Sequence, residues 1–179
     1  YEGNVRQIKM AAEAINRSKR PVIYAGGGVI SSNSSKQLIE LAEKANLPVN
    51  TTLLALGVFP EDNEKALGML GMHGTVPANY AVHKSDLLIA IGARFDDRIT
   101  GKIDEFAPQA QIIHIDVDPT SISKNIKVDI PVVGDANNIL TELIKHVSYV
   151  ERKEWFERIA EWKKRYHVSY DNTSDIVKP

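Results

Sequence analysis

Several residue types and patterns are missing from this sequence, and their absence excludes whole classes of function. There is no cysteine among the 179 residues, which excludes disulfide bonds, thiolate metal ligands and a cysteine nucleophile. No apolar run approaches the ~20 residues of a membrane span, and we recognise no secretory signal peptide. Neither charge dominates, because 22 basic residues stand against 23 acidic ones, so nothing favours nucleic acid or an anionic membrane as a partner. A cytoplasmic protein is the default expectation.

What remains is the composition of a globular α/β protein. Short apolar runs alternate with helical patterns, which is typical of βα units and a parallel sheet. Strands are predicted at 21–25, 47–51, 87–91, 112–116 and 130–133, and helices near 5–15, 35–45, 76–84 and 135–147. Segment 53–74 has no clear pattern, and five or six strands fit before residue 148. We therefore predict a doubly wound, Rossmann-like, mostly parallel six-stranded sheet with helices on both faces.

The chain divides into a core domain and a tail. We expect the domain to span 1–148 and a helical linker to span 149–179. Four apolar side chains of the tail recur at helical spacing, namely Trp155, Ile159, Trp162 and Tyr166. This stripe favours a helix that packs on the domain, and the alternative is a connector whose partner surface lies elsewhere. Because the chain starts without methionine and ends in the polar, turn-rich segment 171–178, we expect a piece of a longer protein.

Residue types suited to a dinucleotide follow the predicted strands. They are Gly26, Gly27 and Gly28, Thr51 and Thr52, Gly92 and Arg94, Asp116, and Gly134 and Asp135. Parallel strands end at one edge of a sheet, where glycine allows close backbone approach, arginine binds phosphate and a carboxylate accepts from ribose hydroxyls. The NAD fingerprint itself fails, because Ser31 stands at its third glycine and Asp116 lies far beyond the ~20 residues expected for the ribose acid.

Two further strings stand out, and each has a plainer alternative. Residues 94–98 (RFDDR) place two arginines directly after a buried strand, which favours ligand binding over a solvated charged loop. Residues 70–74 (LGMHG) suit a loop that approaches a ligand closely, whereas a lone histidine is more often structural. No second histidine stands at metal-ligand spacing, and there is no Gly-x-Ser-x-Gly elbow, so we predict neither a metal site nor a catalytic nucleophile.

Four strings together resemble a known family. Residues 24–29 (YAGGGV), 70–74 (LGMHG), 92–98 (GARFDDR) and 114–119 (HIDVDP) resemble, in this order, strings of acetolactate (acetohydroxyacid) synthase large subunits. The resemblance covers about residues 1–148, and residues 176–179 resemble the linker towards the family's C-terminal domain. Two positions differ from the family pattern: Asp116 is often glutamate there, and Ser121 stands where an amide can occur.

The resemblance implies a function for the chain. The family joins two pyruvates, or pyruvate and 2-oxobutyrate, with loss of CO₂, in branched-chain amino acid biosynthesis. Its subunit has three domains, and the middle one holds FAD in an extended pose with a structural role. The implied FAD-binding residues are Gly26, Gly27, Gly28, Thr52, Leu53, Met72, His73, Gly74, Gly92, Arg94, Asp96, Arg98, Ile99, Asp116, Val117, Gly134, Asp135 and Ala136. Asp97 and Arg98 also resemble residues near the substrate channel.

The catalytic parts of the family are not expected in this chain. Thiamine diphosphate and Mg²⁺ bind in the full-length enzyme through a Gly-Asp-Gly motif of the C-terminal domain, which residues 134–136 do not match. The activating glutamate belongs to an N-terminal domain. We therefore expect no catalytic residue, no metal site and no synthase activity here, and as partners FAD, the other domains, a homo-oligomer and a candidate regulatory small subunit. The alternatives are the middle domain of a related thiamine enzyme that binds ADP or nothing, a stand-alone nucleotide-binding module, and a scaffold with a vestigial site.

Overall fold

The computed structural model describes residues 2–167 and shows one parallel sheet of six strands. The strands are β1 (Pro21–Ala25), β2 (Val49–Thr51), β3 (Ala66–Met69), β4 (Leu87–Ile91), β5 (Gln111–Asp116) and β6 (Ile130–Val133). Their order across the sheet is β3-β2-β1-β4-β5-β6, and every neighbouring pair is parallel. The predicted doubly wound fold is confirmed. The chain reverses direction across the sheet between β1 and β4, which is where such folds bind ligands.

Helices cover both faces of the sheet, as predicted. The helices are α1 (Val5–Arg17), α2 (Gly27–Ser31), α3 (Ser35–Ala45), α4 (Val76–Lys84), α5 (Asp97–Thr100), α6 (Ala136–His146) and α7 (Lys153–Arg165). Side chains alternate along a strand, so Ile23 of β1 packs into the core beneath α1, α3 and α6, and Tyr24 packs into the core beneath α4 and α7. The central strands β1 and β4 are buried throughout, which explains why they form continuous apolar runs.

The tail helix α7 packs on the domain, which confirms the first of the two readings of its apolar stripe. Trp155 and Ile159 are each only 2% exposed, and the indole Nε1 of Trp155 donates to the carbonyl oxygen of Pro21 at 3.1 Å. Trp162 meets Tyr80 of α4 edge-on, with ring centroids 5.6 Å apart. The division at residue 148 stays a prediction, and the segments 171–178 and 176–179 lie outside the described residues.

A buried arginine fixes the start of this tail. The Arg152 guanidinium is 4% exposed and donates to the carbonyl oxygens of Ile15 at 2.7 Å and Ala45 at 2.6 Å, which lie near the C-terminal ends of α1 and α3. A cation is favourable there, because the last carbonyls of a helix lack intrahelical partners and carry partial negative charge. Burial lowers the pKa of Arg152 to about 10, and the group stays cationic at neutral pH.

Candidate functional site

A cavity opens at the carboxyl edge of the sheet, above the ends of the adjacent strands β1 and β4. Its volume is about 870 Å³, within the range of roughly 300–1,000 Å³ seen for cofactor sites. The sequence-predicted residues that line it are Gly27, Gly28, Thr52, Leu53, Gly92, Arg94, Asp96, Arg98, Ile99, Asp116, Val117, Asp135 and Ala136. A polar cavity of about 190 Å³ adjoins it and shares Arg94, Asp96 and Ser121 with it. The two cavities therefore form one extended site.

The glycines after β1 serve two purposes. A Cβ on Gly26 would overlap the carbonyl oxygen of Gly92, and one on Gly28 would lie 2.5 Å from the Cα of Gly92. Gly28 also donates its backbone N–H to the Gly92 oxygen at 3.0 Å. These two glycines thus let the loops after β1 and β4 touch. Gly27 differs in packing, because its Cβ would make an ordinary contact with Leu54 at 3.5 Å. Gly27 and Gly28 both line the cavity.

The loop at residues 92–98 alternates between the core and the cavity. Phe95 is 3% exposed, and its ring packs against those of Tyr24 and His114 at centroid distances of 5.9 and 5.3 Å. Arg94 and Asp96 on either side of it line the cavity, and their Nη2 and Oδ2 atoms are 3.5 Å apart. The buried ring therefore anchors a loop whose charged side chains face the site.

The end of β5 brings a carboxylate to the same edge. Asp116 lines the cavity, accepts from the backbone N–H of Asp118 at 2.9 Å and has its other oxygen 3.8 Å from Nε2 of His114. His114 is fully buried, and its Nε2 lies 3.0 Å from the carbonyl oxygen of Ala93. Burial lowers the pKa of His114, and the nearby Asp116 only partly offsets this effect. We infer a neutral imidazole at pH 7.

The loop at residues 70–74 lies beside the cavity and does not line it. Gly71 has a φ of +102°, and a Cβ there would meet Ile99 Cδ1 at 2.7 Å, so the tight contact between the two loops depends on glycine. Met72 donates its backbone N–H to the Arg98 oxygen at 3.1 Å. Its side chain is 66% exposed, and His73 is exposed as well. Met72, His73 and Gly74 thus border the Arg98 end of the site from outside.

The start of α6 closes the opposite side. Ala136 lines the cavity, and the Asp135 carboxylate caps the helix by accepting from the backbone N–H groups of Asn137 and Asn138 at 2.9 and 3.2 Å. Gly134 is buried and does not line the cavity. Its backbone N–H donates to the backbone carbonyl oxygen of Asp116 at 2.9 Å. The Asp135 side chain is therefore engaged within the protein, and it is the turn itself that borders the site.

Sequence reasoning missed part of the wall. The lining also includes Tyr24, Ile30, Ser31, Ser32, Leu54, Ala93 and Ile115. Ile30, Leu53, Leu54 and Val117 are each more than half exposed, so much of the rim is apolar. Two lining residues, Tyr24 and Thr52, have buried hydroxyls without a hydrogen-bond partner among residues 2–167. Buried hydroxyls without partners beside a cavity indicate that a ligand could supply the missing partner, and this indication is visible only in the structure.

The described residues contain neither a metal-binding cluster nor a membrane-spanning helix. Within residues 2–167, no group of three or more histidine, aspartate or glutamate side chains is placed to hold a metal ion. None of the helices in this part of the chain is long and apolar enough to cross a membrane. The site instead offers close backbone at glycines, two guanidinium groups, a carboxylate and an apolar rim. This combination suits a long ligand with phosphate and aromatic parts.

Fold and cavity together define a doubly wound α/β domain with a cavity at its topological switch point. Residues 8–143 match the family model described as the central domain of thiamine pyrophosphate enzymes. The chain belongs to this family.

Similarity to individual proteins extends along almost the whole chain. It is 54% identical to a probable acetolactate synthase large subunit of Methanocaldococcus jannaschii, over 99% of this chain and 30% of that protein. It is 49% identical to the acetolactate synthase large subunit of Buchnera aphidicola subsp. Schlechtendalia chinensis and 43% identical to the isozyme 3 large subunit of Escherichia coli K12, over 99% of this chain and 32% of each relative. The chain thus spans about a third of the length of these relatives.

Proposed function

We propose that this chain is the FAD-binding central domain of an acetolactate synthase large subunit. The enzyme assignment is supported by 43–54% identity to proteins of that name over 99% of the chain. One observation carries the ligand part, which is that the extended cavity at the β1–β4 switch point is lined by most of the residues expected to bind FAD. The full enzyme would condense two pyruvates, or pyruvate and 2-oxobutyrate, with loss of CO₂.

The residues present fit FAD. The backbone at Gly27 and Gly28 offers close approach to phosphate and ribose groups, and Arg94 and Arg98 supply cationic forks for phosphate. The Asp116 carboxylate can accept from ribose hydroxyls. Thr52 lines the cavity, and a bound ligand would supply the partner that its buried hydroxyl lacks. In the proposed enzyme FAD stabilises the domain and undergoes no net redox change.

The chain's own part in the reaction is to bind and orient. No residue of this domain is proposed to touch thiamine diphosphate or Mg²⁺, which would be held by the N-terminal and C-terminal domains, between the subunits of a cytoplasmic homo-oligomer. The loop at residues 92–98 would position Arg94 and Asp96 toward the cofactor, and the apolar rim would exclude water from its ring system.

A titration of the purified 179-residue chain tests the proposal. FAD, ADP and NAD are added separately, and binding is measured by calorimetry and by the change in flavin fluorescence. We expect FAD to bind most tightly, because only FAD has both a diphosphate and a flavin for the extended, apolar-rimmed site. Equal binding of ADP and FAD would favour the middle domain of a related thiamine enzyme. Tighter binding of NAD would contradict the proposal.

A further inference from the structure

The floor of the cavity contains a tyrosine that no prediction from the sequence singled out. Tyr24 lies near the end of β1, is 0% exposed and lines the cavity. Its hydroxyl oxygen is buried and has no hydrogen-bond partner among residues 2–167. Buried polar atoms in folded proteins are nearly always partnered, so this one requires an explanation.

Tyr24 contributes to the cavity wall, although its hydroxyl oxygen is shielded from solvent. Ala25 and Gly26 follow Tyr24 toward the sheet edge, yet neither lines the cavity, so Tyr24 reaches it through its side chain and not through its backbone. The ring packs on Phe95 at a centroid distance of 5.9 Å. Burial raises the pKa of the Tyr24 hydroxyl, and the negative charge of Asp96, itself a lining residue, raises it further. The phenol end is therefore near the loop that borders the site.

The hydroxyl makes no hydrogen bond within residues 2–167. A phenylalanine would keep the contact with Phe95 and would leave no buried donor without a partner. An unpartnered buried hydroxyl destabilises the folded state unless something that binds the protein supplies the partner. The cavity that Tyr24 lines is the place from which such a partner can come.

We propose that the Tyr24 hydroxyl donates a hydrogen bond to an acceptor atom of the bound dinucleotide, as a ligand-anchoring group in addition to the strand-end residues. This inference rests on the proposed function. The group acts as a donor because burial, and to a lesser extent the nearby Asp96 carboxylate, disfavours loss of its proton. The acceptor belongs either to the flavin half, as a ring carbonyl or ring nitrogen, or to the ADP half, as a phosphate oxygen.

The substitution Tyr24→Phe in the 179-residue chain tests this assignment through binding and melting. We expect the dissociation constant for FAD to rise about 5- to 10-fold, the effect of one lost hydrogen bond. The melting temperature of the ligand-free variant should equal or exceed that of the unaltered chain, because an unpartnered hydroxyl has been removed. Tyr149→Phe is the matched control, since Tyr149 is 67% exposed and lies outside the lining, and it should change neither quantity.

Shorter ligands locate the acceptor. A Tyr24→Phe penalty that persists with FMN and vanishes with ADP places the acceptor on the flavin half, and the reverse places it on the ADP half. Unchanged FAD affinity in Tyr24→Phe would overturn the inference and leave the proposed function intact. A lower melting temperature of the ligand-free variant would also overturn it, because the hydroxyl would then have a partner inside the protein. Failure of the unaltered chain to bind FAD would overturn the FAD-binding part of the proposed function and this inference with it, and would leave the family assignment standing.

Discussion

The imidazole of His114 and the carbonyl group of Ala93 are joined by a hydrogen bond of 3.0 Å between β5 and the loop that follows β4. Only a ring with its proton on Nε2 can donate to this oxygen. The bond fixes the residue directly before Arg94, and the packing of Phe95 on the same imidazole fixes the residue directly after it. Two core contacts of one histidine thus hold a charged loop in place at the cavity.

This buried histidine predicts a loss of stability on mild acidification. In the folded chain the pKa of His114 lies below the ordinary value of 6.5. As pH falls through about 6.5, the unfolded chain binds a proton that the folded chain does not, so the free energy of unfolding decreases. The His114 part of the slope is at most about 1.4 kcal/mol per pH unit for one proton. Urea unfolding at pH 7.5, 6.5 and 5.5 measures it.

The variant His114→Gln isolates this effect. Its amide can donate to the Ala93 oxygen without titrating, and the other histidines contribute equally to both proteins. We expect a flatter dependence of the unfolding free energy on pH between 7.5 and 5.5 than in the unaltered chain. Equal slopes would show that His114 does not titrate differently in the two states.

Alanine substitutions of Gly28 and Gly27, which are neighbours after β1, should differ in their effect on the free energy of unfolding. Gly28→Ala places a methyl group 2.5 Å from the Cα of Gly92. The Cα belongs to the backbone and the methyl group is attached directly to it, so relief of the clash requires a backbone shift. We expect a loss of about 1–3 kcal/mol in the free energy of unfolding, as for other overpacked sites. Gly27→Ala should change it by less than about 1 kcal/mol, because its methyl group has room beside Leu54 at 3.5 Å. Comparable losses in the two variants would contradict the packing role of Gly28.

The fold followed from local patterns, with one strand as the exception. Buried parallel strands such as β1 and β4 form continuous apolar runs, and the amphipathic helices between the strands show a helical period of apolar residues. Both kinds of element can therefore be predicted from the sequence. Strand β3 was missed because Ala66–Met69 contains a glycine and lies at the edge of the sheet, where only its pairing with β2 identifies it. Strand β2 starts at Val49, two residues later than predicted, although the Pro48 carbonyl oxygen still accepts from the Ile23 backbone N–H of β1 at 2.9 Å.

The site was predictable as far as it depends on strand ends. The positions of Gly27, Arg94 and Asp116 at one edge follow from parallel topology alone. The contribution of Tyr24 could not be read in this way, because its side chain reaches the cavity from inside the strand. Conversely, the contact of Gly26 with Gly92 across two loops is a packing relationship, and sequence alone does not separate a glycine needed for packing from one needed for a ligand.

Removal of the buried guanidinium of Arg152 should strongly destabilise the chain. Arg152→Met leaves the Ala45 carbonyl oxygen without its donor and removes one of the two donors of the Ile15 oxygen, which keeps the Ser18 hydroxyl; we expect a loss of about 2–4 kcal/mol in unfolding free energy. Arg158→Met is the control. Arg158 is exposed, and its guanidinium carbon lies 5.7 Å from the centroid of the Trp162 ring, so the decrease in unfolding free energy should stay below about 1 kcal/mol. Chemical denaturation of both variants measures the difference. A small effect of Arg152→Met would mean that the tail contributes little to domain stability.

Replacement of Arg94 should separate ligand binding from stability. Its contact with Asp96 at 3.5 Å is exposed on both sides, and such pairs contribute less than about 1 kcal/mol, so Arg94→Ala should melt within a few degrees of the unaltered chain. A lost charge-assisted contact with phosphate is expected to weaken FAD binding about 10- to 100-fold, as measured by calorimetry. Lys102→Ala removes a similarly exposed cation, paired with Glu105 at 2.7 Å but outside the lining, and should leave FAD affinity unchanged. If both variants lose affinity equally, long-range charge and not a contact at Arg94 attracts the ligand. Repetition at high salt decides this, because screening abolishes a long-range effect and spares most of a direct contact.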